Sequence, residues 1–266
     1  MMSFINSHWW IIPLIITFFS GILCPAMGAV LIAHKRLLQV NLISHSVLPG
    51  LALAVALGVD PSIGGVISGL FGALLVESLT NKRNDNYEAV MNTILAGALG
   101  LGVLLIPLLG IRIDLEAVLF GDLLVANWGD LSRNLVAFLM FTCLMITGYD
   151  KLVHVGLDPE GAAANGINVS SLNLALGFTT ALVIVSSMSA VGVILVIALL
   201  STPSLMGLDQ SPSLWVAMAR SSAFGLLISL LGFLLAIIFN LSPGPLISVL
   251  CVASLVFLNK KIRLSL

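Results

Sequence analysis

The chain is organised as long apolar runs separated by short polar connections. Five stretches carry no Asp, Glu, Lys or Arg: 10 to 33, 37 to 59, 89 to 111, 167 to 208 and 221 to 259. A single membrane-spanning helix needs about 20 residues, so the last two stretches each hold two helices. Shorter apolar runs at 61 to 80 and 134 to 149 bring the expected number of spans to about nine, with eight as the alternative. All are predicted helical, because an open sheet would leave backbone groups unpaired in hydrocarbon. The first run is about a full span long, lacks a basic start and is followed by further spans, so it reads as helix one and not as a secretion signal. The expectation is an all-α polytopic membrane protein. No polar linker or low-complexity stretch interrupts the spans, so residues 1–266 read as a single domain, without an internal repeat.

Composition sharpens this picture. Charged residues make up 9% of the 266 and hydrophobic ones 59%, whereas a soluble domain is roughly one-quarter charged. A formal charge of −1 gives no electrostatic footprint for nucleic acid. Cys24, Cys143 and Cys251 stand singly inside apolar segments, without CxxC or CxH spacing, and read as packing residues, not as disulfide or metal ligands. Glycines at 65, 69 and 72, and at 97 and 100, are read as surfaces on which helices approach closely.

The basic residues set an orientation, since basic loops stay in the cytoplasm. With the N-terminus outside and nine helices, Lys35, Arg36, Lys82, Arg83, Lys151, Arg220, Lys260, Lys261 and Arg263 fall inside, and Arg112 and Arg133 outside. The C-terminus is then cytoplasmic, as are the connections 34 to 40, 81 to 88, 150 to 167 and 207 to 221. The connection 111 to 132 lies outside.

Three segments carry chemical information. In the first, Asn41 to Gly50, His45 is a histidine within a span, and an ionisable group at that depth is expensive enough to suggest function. Asn41 lies one turn earlier on the same helix face. Pro49 lies one turn later, where its missing N–H leaves the His45 carbonyl without a helical partner. Imidazole nitrogen, amide oxygen and freed carbonyl can converge on one cation: imidazole suits zinc and several other transition metals, and oxygen suits manganese. The same spacing also fits a neutral histidine hydrogen-bonded to a neighbouring helix, with Pro49 only bending the backbone.

The second segment, Leu157 to Gly166, has the grammar of a short capped helix. Asp158 suits the N-cap, Pro159 the first helical position, Glu160 the helix dipole, and Gly166 the C-terminal stop. It is either a connector lying on the membrane or a docking element for a cytoplasmic motor. The third, 113 to 124, sets Asp114, Glu116 and Asp122 among apolar residues at helical spacing. It fits a helix at the outer interface that receives a delivery protein, lines the mouth of a pathway, or seals the outer face.

No GxxxxGK[ST] loop occurs, so ATP is not bound through a Walker motif. Neither HExxH nor GxSxG is present, and no carboxylate pair lies inside a span, which argues against an intramembrane enzyme.

Together the three segments resemble the metal-type permease family of ABC importers, which contains zinc and manganese uptake permeases and is related to the vitamin B12 and siderophore permeases. The resemblance covers about residues 10 to 258. The family pattern GDxxxHxxLPG is matched at His45, Leu48, Pro49 and Gly50, with Asn41 in place of the family aspartate. DLExxLFGDLL is matched at Asp114, Leu115, Glu116, Leu119, Phe120, Gly121, Asp122, Leu123 and Leu124. FDPExAxxxG is matched at Asp158, Pro159, Glu160, Ala162 and Gly166, with Leu157 for the aromatic, and its glutamate-to-glycine spacing also resembles the EAA coupling signature. VGxLLxxALLxxP is similar to 191–203, after which this chain has Ser204, Leu205 and Met206 where many members have small residues and a threonine. Residues 242–250 resemble the PxGPxIVL turn.

The resemblance implies a homodimer around a central pathway in a bacterial inner membrane, two cytoplasmic ATPase subunits, and an external metal-binding protein that hands over the ion. It implies His45, helped by Asn41, as transient metal ligands, Asp158, Pro159, Glu160 and Gly166 as the ATPase coupling element, and Asp114, Glu116 and Asp122 as the outer mouth or docking site. The chain would hold no cofactor of its own. The cargo would be manganese or zinc, with iron as a third candidate, and ATP would be used by the partner. Competing expectations are an ATP-independent metal channel or secondary carrier, and a permease for a chelated metal.

Overall fold

The structure is a computed structural model that describes residues 10–79, 87–111, 121, 126–208 and 211–263. Among the described residues every regular element is a helix. In chain order these are α1 (Ile11–Ala33), α2 (Leu38–Ala56), α3 (Pro61–Leu79), α4 (Tyr87–Leu108), α5 (Trp128–Leu157), α6 (Pro159–Ala164), α7 (Val169–Val191), α8 (Val193–Leu208), α9 (Leu214–Phe239) and α10 (Pro243–Arg263). Six of them, α1, α2, α4, α5, α7 and α9, are long and apolar enough to cross a membrane, and three shorter apolar stretches lie in α3, α8 and α10. Each expected apolar run is thus helical in its described part, and the double-length runs divide as expected.

The boundaries moved most at α5. The apolar run 134 to 149 lies inside a helix of 30 residues, because Asn127 and Asp130 start it earlier. The Asn127 side chain accepts from the backbone N–H groups of Gly129 (2.7 Å) and Asp130 (3.2 Å), and Asp130 accepts from the Asn127 N–H (3.0 Å). This reciprocal arrangement is a capping box. Polar residues that break an apolar run can therefore be part of the helix that contains it. The connection to α7 shortens accordingly.

The chain forms two compact units. One comprises residues 1–34, 116–143 and 186–266. In it α1 packs on α8 and α9, and α10 on the same two helices. Glycines set these crossings. Gly21 lies over Ser229, Gly28 over Leu200 and Ser204, and Gly225 over Pro25, so backbones approach where any side chain would intrude. Hydroxyls then bond across helices: Ser204 donates to the Pro25 carbonyl (2.8 Å) and Ser222 to the Ile22 carbonyl (3.0 Å). Asn134 of α5 is fully buried and donates to Ser20 of α1 (2.9 Å). The α7–α8 junction is the single residue Gly192 at φ +84, and Gly121, at φ +67, seats its backbone against Val191 and Gly192.

The other unit comprises residues 35–115 and 144–185. Here α2 is held against α3 and α4. Gly50 and Gly64 lie backbone against backbone, and Gly65, Gly69 and Gly72 of α3 receive Val47, Ile43 and Ser46. That part of the glycine expectation holds. Gly97 and Gly100 are different: nothing lies within 4 Å of where a Cβ would stand on either. The glycine of α4 that makes the close approach is Gly102, against Leu48 and Pro49. Sequence spacing cannot distinguish these cases, because only the rotation of the helix decides which small residues face a neighbour. Leu42, Val76 and Met91 form a buried cluster joining the three helices, with Ile94 and Leu95 packed on it.

Candidate functional site

The second helix forms because its residues are apolar throughout and α3 and α4 bury most of its circumference. From Gln39 to Gly50 every residue is buried except Asn41 and His45, which are half-buried. They stand one turn apart and share a face. The chain thus covers α2 on all sides at this level except where its imidazole and its amide project. An ionisable group in a span points to function.

Pro49 is inside α2 and buried. It supplies no N–H to the His45 carbonyl, so that oxygen is a third polar group on the same turn. The hydroxyls of Ser44 and Ser46, both buried beside His45, have no hydrogen-bond partner. Among the described residues no three His, Cys, Asp or Glu side chains gather where they could hold a metal ion. His45 and Asn41 are the two residues between Gln39 and Gly50 that are not buried, one turn apart on α2.

The segment from Asp158 to Gly166 is built as its spacing predicts, with one refinement. Asp158 is the N-cap and accepts from the Gly161 N–H (2.9 Å), and Pro159 opens the helix. At the other end Asn165 is the C-cap, and Gly166 is the residue after it, in the left-handed region at φ +80. The Gly166 N–H donates to Ala163 O (3.0 Å) and the Ile167 N–H to Ala162 O (3.1 Å), which is the Schellman closure. Ala162 is fully buried, whereas Asp158, Pro159, Glu160 and Gly166 are exposed. The helix is pinned by one methyl and offers its acidic end to water.

The preceding helix, α5, is longer than one crossing needs. Thirty residues rise about 45 Å, against about 30 Å of hydrocarbon. Trp128 is exposed at one end, and Tyr149 follows 21 residues later, the spacing of two aromatic belts. The turns beyond Tyr149 carry Asp150, Lys151 and His154.

Asp114, Glu116 and Asp122 lie outside the described residues. Within that stretch Gly121 is described, and it is seated close against Gly192, a contact that spacing along the chain does not signal. Sequence pattern assigned no partner to Ser204 or Asn134, which bond the Pro25 carbonyl and Ser20. The available signal was a polar residue inside an otherwise apolar run, which in a bilayer calls for a partner.

The manganese import system permease protein ScaB of Streptococcus parasanguinis is 31% identical over 227 residues, covering 84% of this chain and 80% of ScaB. The "Probable iron transport system membrane protein" of Haemophilus influenzae is 31% identical over 234 residues, covering 86% of this chain and 85% of that protein. Among solved structures, PsaBC from Streptococcus pneumoniae in complex with Fab superposes with a TM-score of 0.85 at 28% identity, covering 96% of this chain and 92% of that one. Residues 9–262 match the ABC 3 transport family, and the chain is a member of that family, a transport permease of the membrane.

Proposed function

We propose that this chain is the permease subunit of an ABC importer for a divalent transition metal ion, with manganese as the first candidate cargo and zinc and iron behind it. The observation that carries the reading is the face of α2 on which Asn41 and His45 alone, between Gln39 and Gly50, are not buried. Imidazole and amide oxygen together suit manganese, iron or zinc, and the manganese function of ScaB favours the first. A second copy of the chain, presenting the same face across a central pathway, would complete the coordination shell. Neutral Asn41 in place of a carboxylate keeps the hold on the ion modest, which suits a site that must release its cargo.

Energy comes from a separate cytoplasmic ATPase, since the sequence has no GxxxxGK[ST] loop. The α6 element, with Asp158, Pro159, Glu160 and Gly166, docks on that ATPase and passes its closure to the membrane helices. An external metal-binding protein delivers the ion at the acidic stretch with Asp114, Glu116 and Asp122. The chain acts as one permease domain, 1–266, in a bacterial inner membrane, N-terminus outside, with nine crossings and a cytoplasmic C-terminus. At 16 residues, α8 rises about 24 Å, a mismatch that local thinning or burial among neighbours absorbs.

The test is uptake of radiolabelled manganese, zinc and iron in cells with the intact gene, without it, and with His45→Ala. Loss of one metal in both altered strains, with the His45→Ala protein still assembled, supports the reading. Normal accumulation in the variant removes His45 from the pathway. Uptake that persists without ATP hydrolysis favours a channel or secondary carrier.

A further inference from the structure

We infer that Gly102 of α4 is a positioning residue for the Asn41–His45 face of α2. This rests on the reading that those two side chains meet the transported ion. A Cβ at Gly102 would stand 2.6 Å from the Leu48 Cβ, 3.1 Å from the Pro49 nitrogen and 3.2 Å from the Leu48 carbonyl carbon. Gly102 is itself buried. The notch thus receives the Leu48–Pro49 peptide, the turn directly after His45, where the proline has already removed a helical hydrogen bond and softened the helix. On another side of the same turn, Gly50 and Gly64 lie backbone against backbone, so α2 has no room to retreat toward α3. Two glycine contacts hold the proline turn, and Leu48, three residues after His45, lies on the same helix stripe as Asn41 and His45, so the notch bears on the turn next to the polar pair.

The consequence is directional. Carbon atoms pack at about 3.5–4.0 Å, so a methyl at Gly102 forces the Leu48 turn to move by about 1 Å. With α3 in backbone contact on the far side of the turn, that displacement passes along α2 to the neighbouring turn that carries Asn41 and His45. Misplacement of about 1 Å at a reacting centre is enough to cost up to about 100-fold. The same helix supplies its own controls, because Gly97 and Gly100 have open space where a Cβ would stand.

The experiment uses the full transporter, permease with ATPase and binding protein, reconstituted in vesicles. It measures manganese ions imported per ATP hydrolysed, alongside the amount of assembled complex. A packing role alone changes the amount assembled and leaves ions per ATP untouched. Gly102→Ala is expected to lower ions per ATP about tenfold or more, with Gly97→Ala and Gly100→Ala at the wild-type value. Leu48→Ala, which empties the notch from the other side, is expected to lower it in the same direction, and it decides the matter should Gly102→Ala fail to assemble. Wild-type coupling in assembled Gly102→Ala, or in Leu48→Ala, overturns the inference, as does an equal loss in all the α4 variants. His45→Ala separates the two levels. If it imports normally, the metal-site reading fails and this inference falls with it; if it loses import while Gly102→Ala couples normally, only the positioning role fails.

Discussion

The proposed coupling helix α6 gives the sharpest quantitative test, because its stability rests on a few identifiable contacts. α6 has six residues, well below the length at which an isolated helix is stable in water. It persists through the Asp158 cap, Pro159 at the first position, the Gly166 closure and the buried methyl of Ala162. Replacing Asp158 with Ala removes the acceptor for the Gly161 N–H and costs about 1 kcal/mol. Replacing Gly166, at φ +80, with Ala forces an L side chain into the left-handed region at about 1 kcal/mol. The two sites are at opposite ends of the helix and share no partner, so the double variant loses about 2 kcal/mol, a factor of about 30 in the population of the ordered helix. Asparagine caps as well as aspartate, so Asp158→Asn keeps the helix and removes only the charge. Hydrogen exchange of the peptide 158–167, with manganese uptake measured on the same preparations, reads both order and function. Exchange and loss of uptake are expected to rise together from Asp158→Asn through the single variants to the double. The reasoning fails if exchange rises on schedule while uptake is unchanged, which would make α6 a mere connector. It also fails if Asp158→Asn is as defective as Asp158→Ala, which would make the charge and not the cap the operative feature.

Three further outcomes are expected. Gly64→Ala, which would drive a methyl into the Gly50 carbonyl, should abolish or sharply reduce assembled protein in the membrane, whereas Gly97→Ala should leave it unchanged; quantitative blotting of membranes distinguishes them, and equal yields would contradict the α2–α3 packing. Asn134→Ala removes the hydrogen bond to Ser20, and since such interhelical bonds average about 0.6 kcal/mol in membranes, denaturation of the purified protein should show a loss of that order; a loss of several kcal/mol would mean that Asn134 holds more than Ser20. Asn41→Asp adds a carboxylate beside His45 and should tighten the hold on the ion, slowing release and altering the ratio of manganese to zinc uptake; no change in either would place Asn41 outside the site.

The sequence alone determined that the chain is helical and lives in a bilayer. Runs such as 10 to 33 and 221 to 259 can satisfy their backbone groups in hydrocarbon in few other ways. It also determined α6, because capping is local chemistry: Asp158, Pro159 and Gly166 need only their own neighbours to act. Sequence likewise put Asn41 and His45 on one helix face, since that follows from helical period. Tertiary structure decided what period cannot. It selected Gly65, Gly69, Gly72 and Gly102 as contact glycines and left Gly97 and Gly100 facing open space, because a glycine's role depends on what stands opposite it. It also closed α3 and α4 around α2 so that, in the stretch from Gln39 to Gly50, Asn41 and His45 stay uncovered. Burial is a property of the neighbours that a helix acquires, and those neighbours come from parts of the chain that local pattern cannot connect.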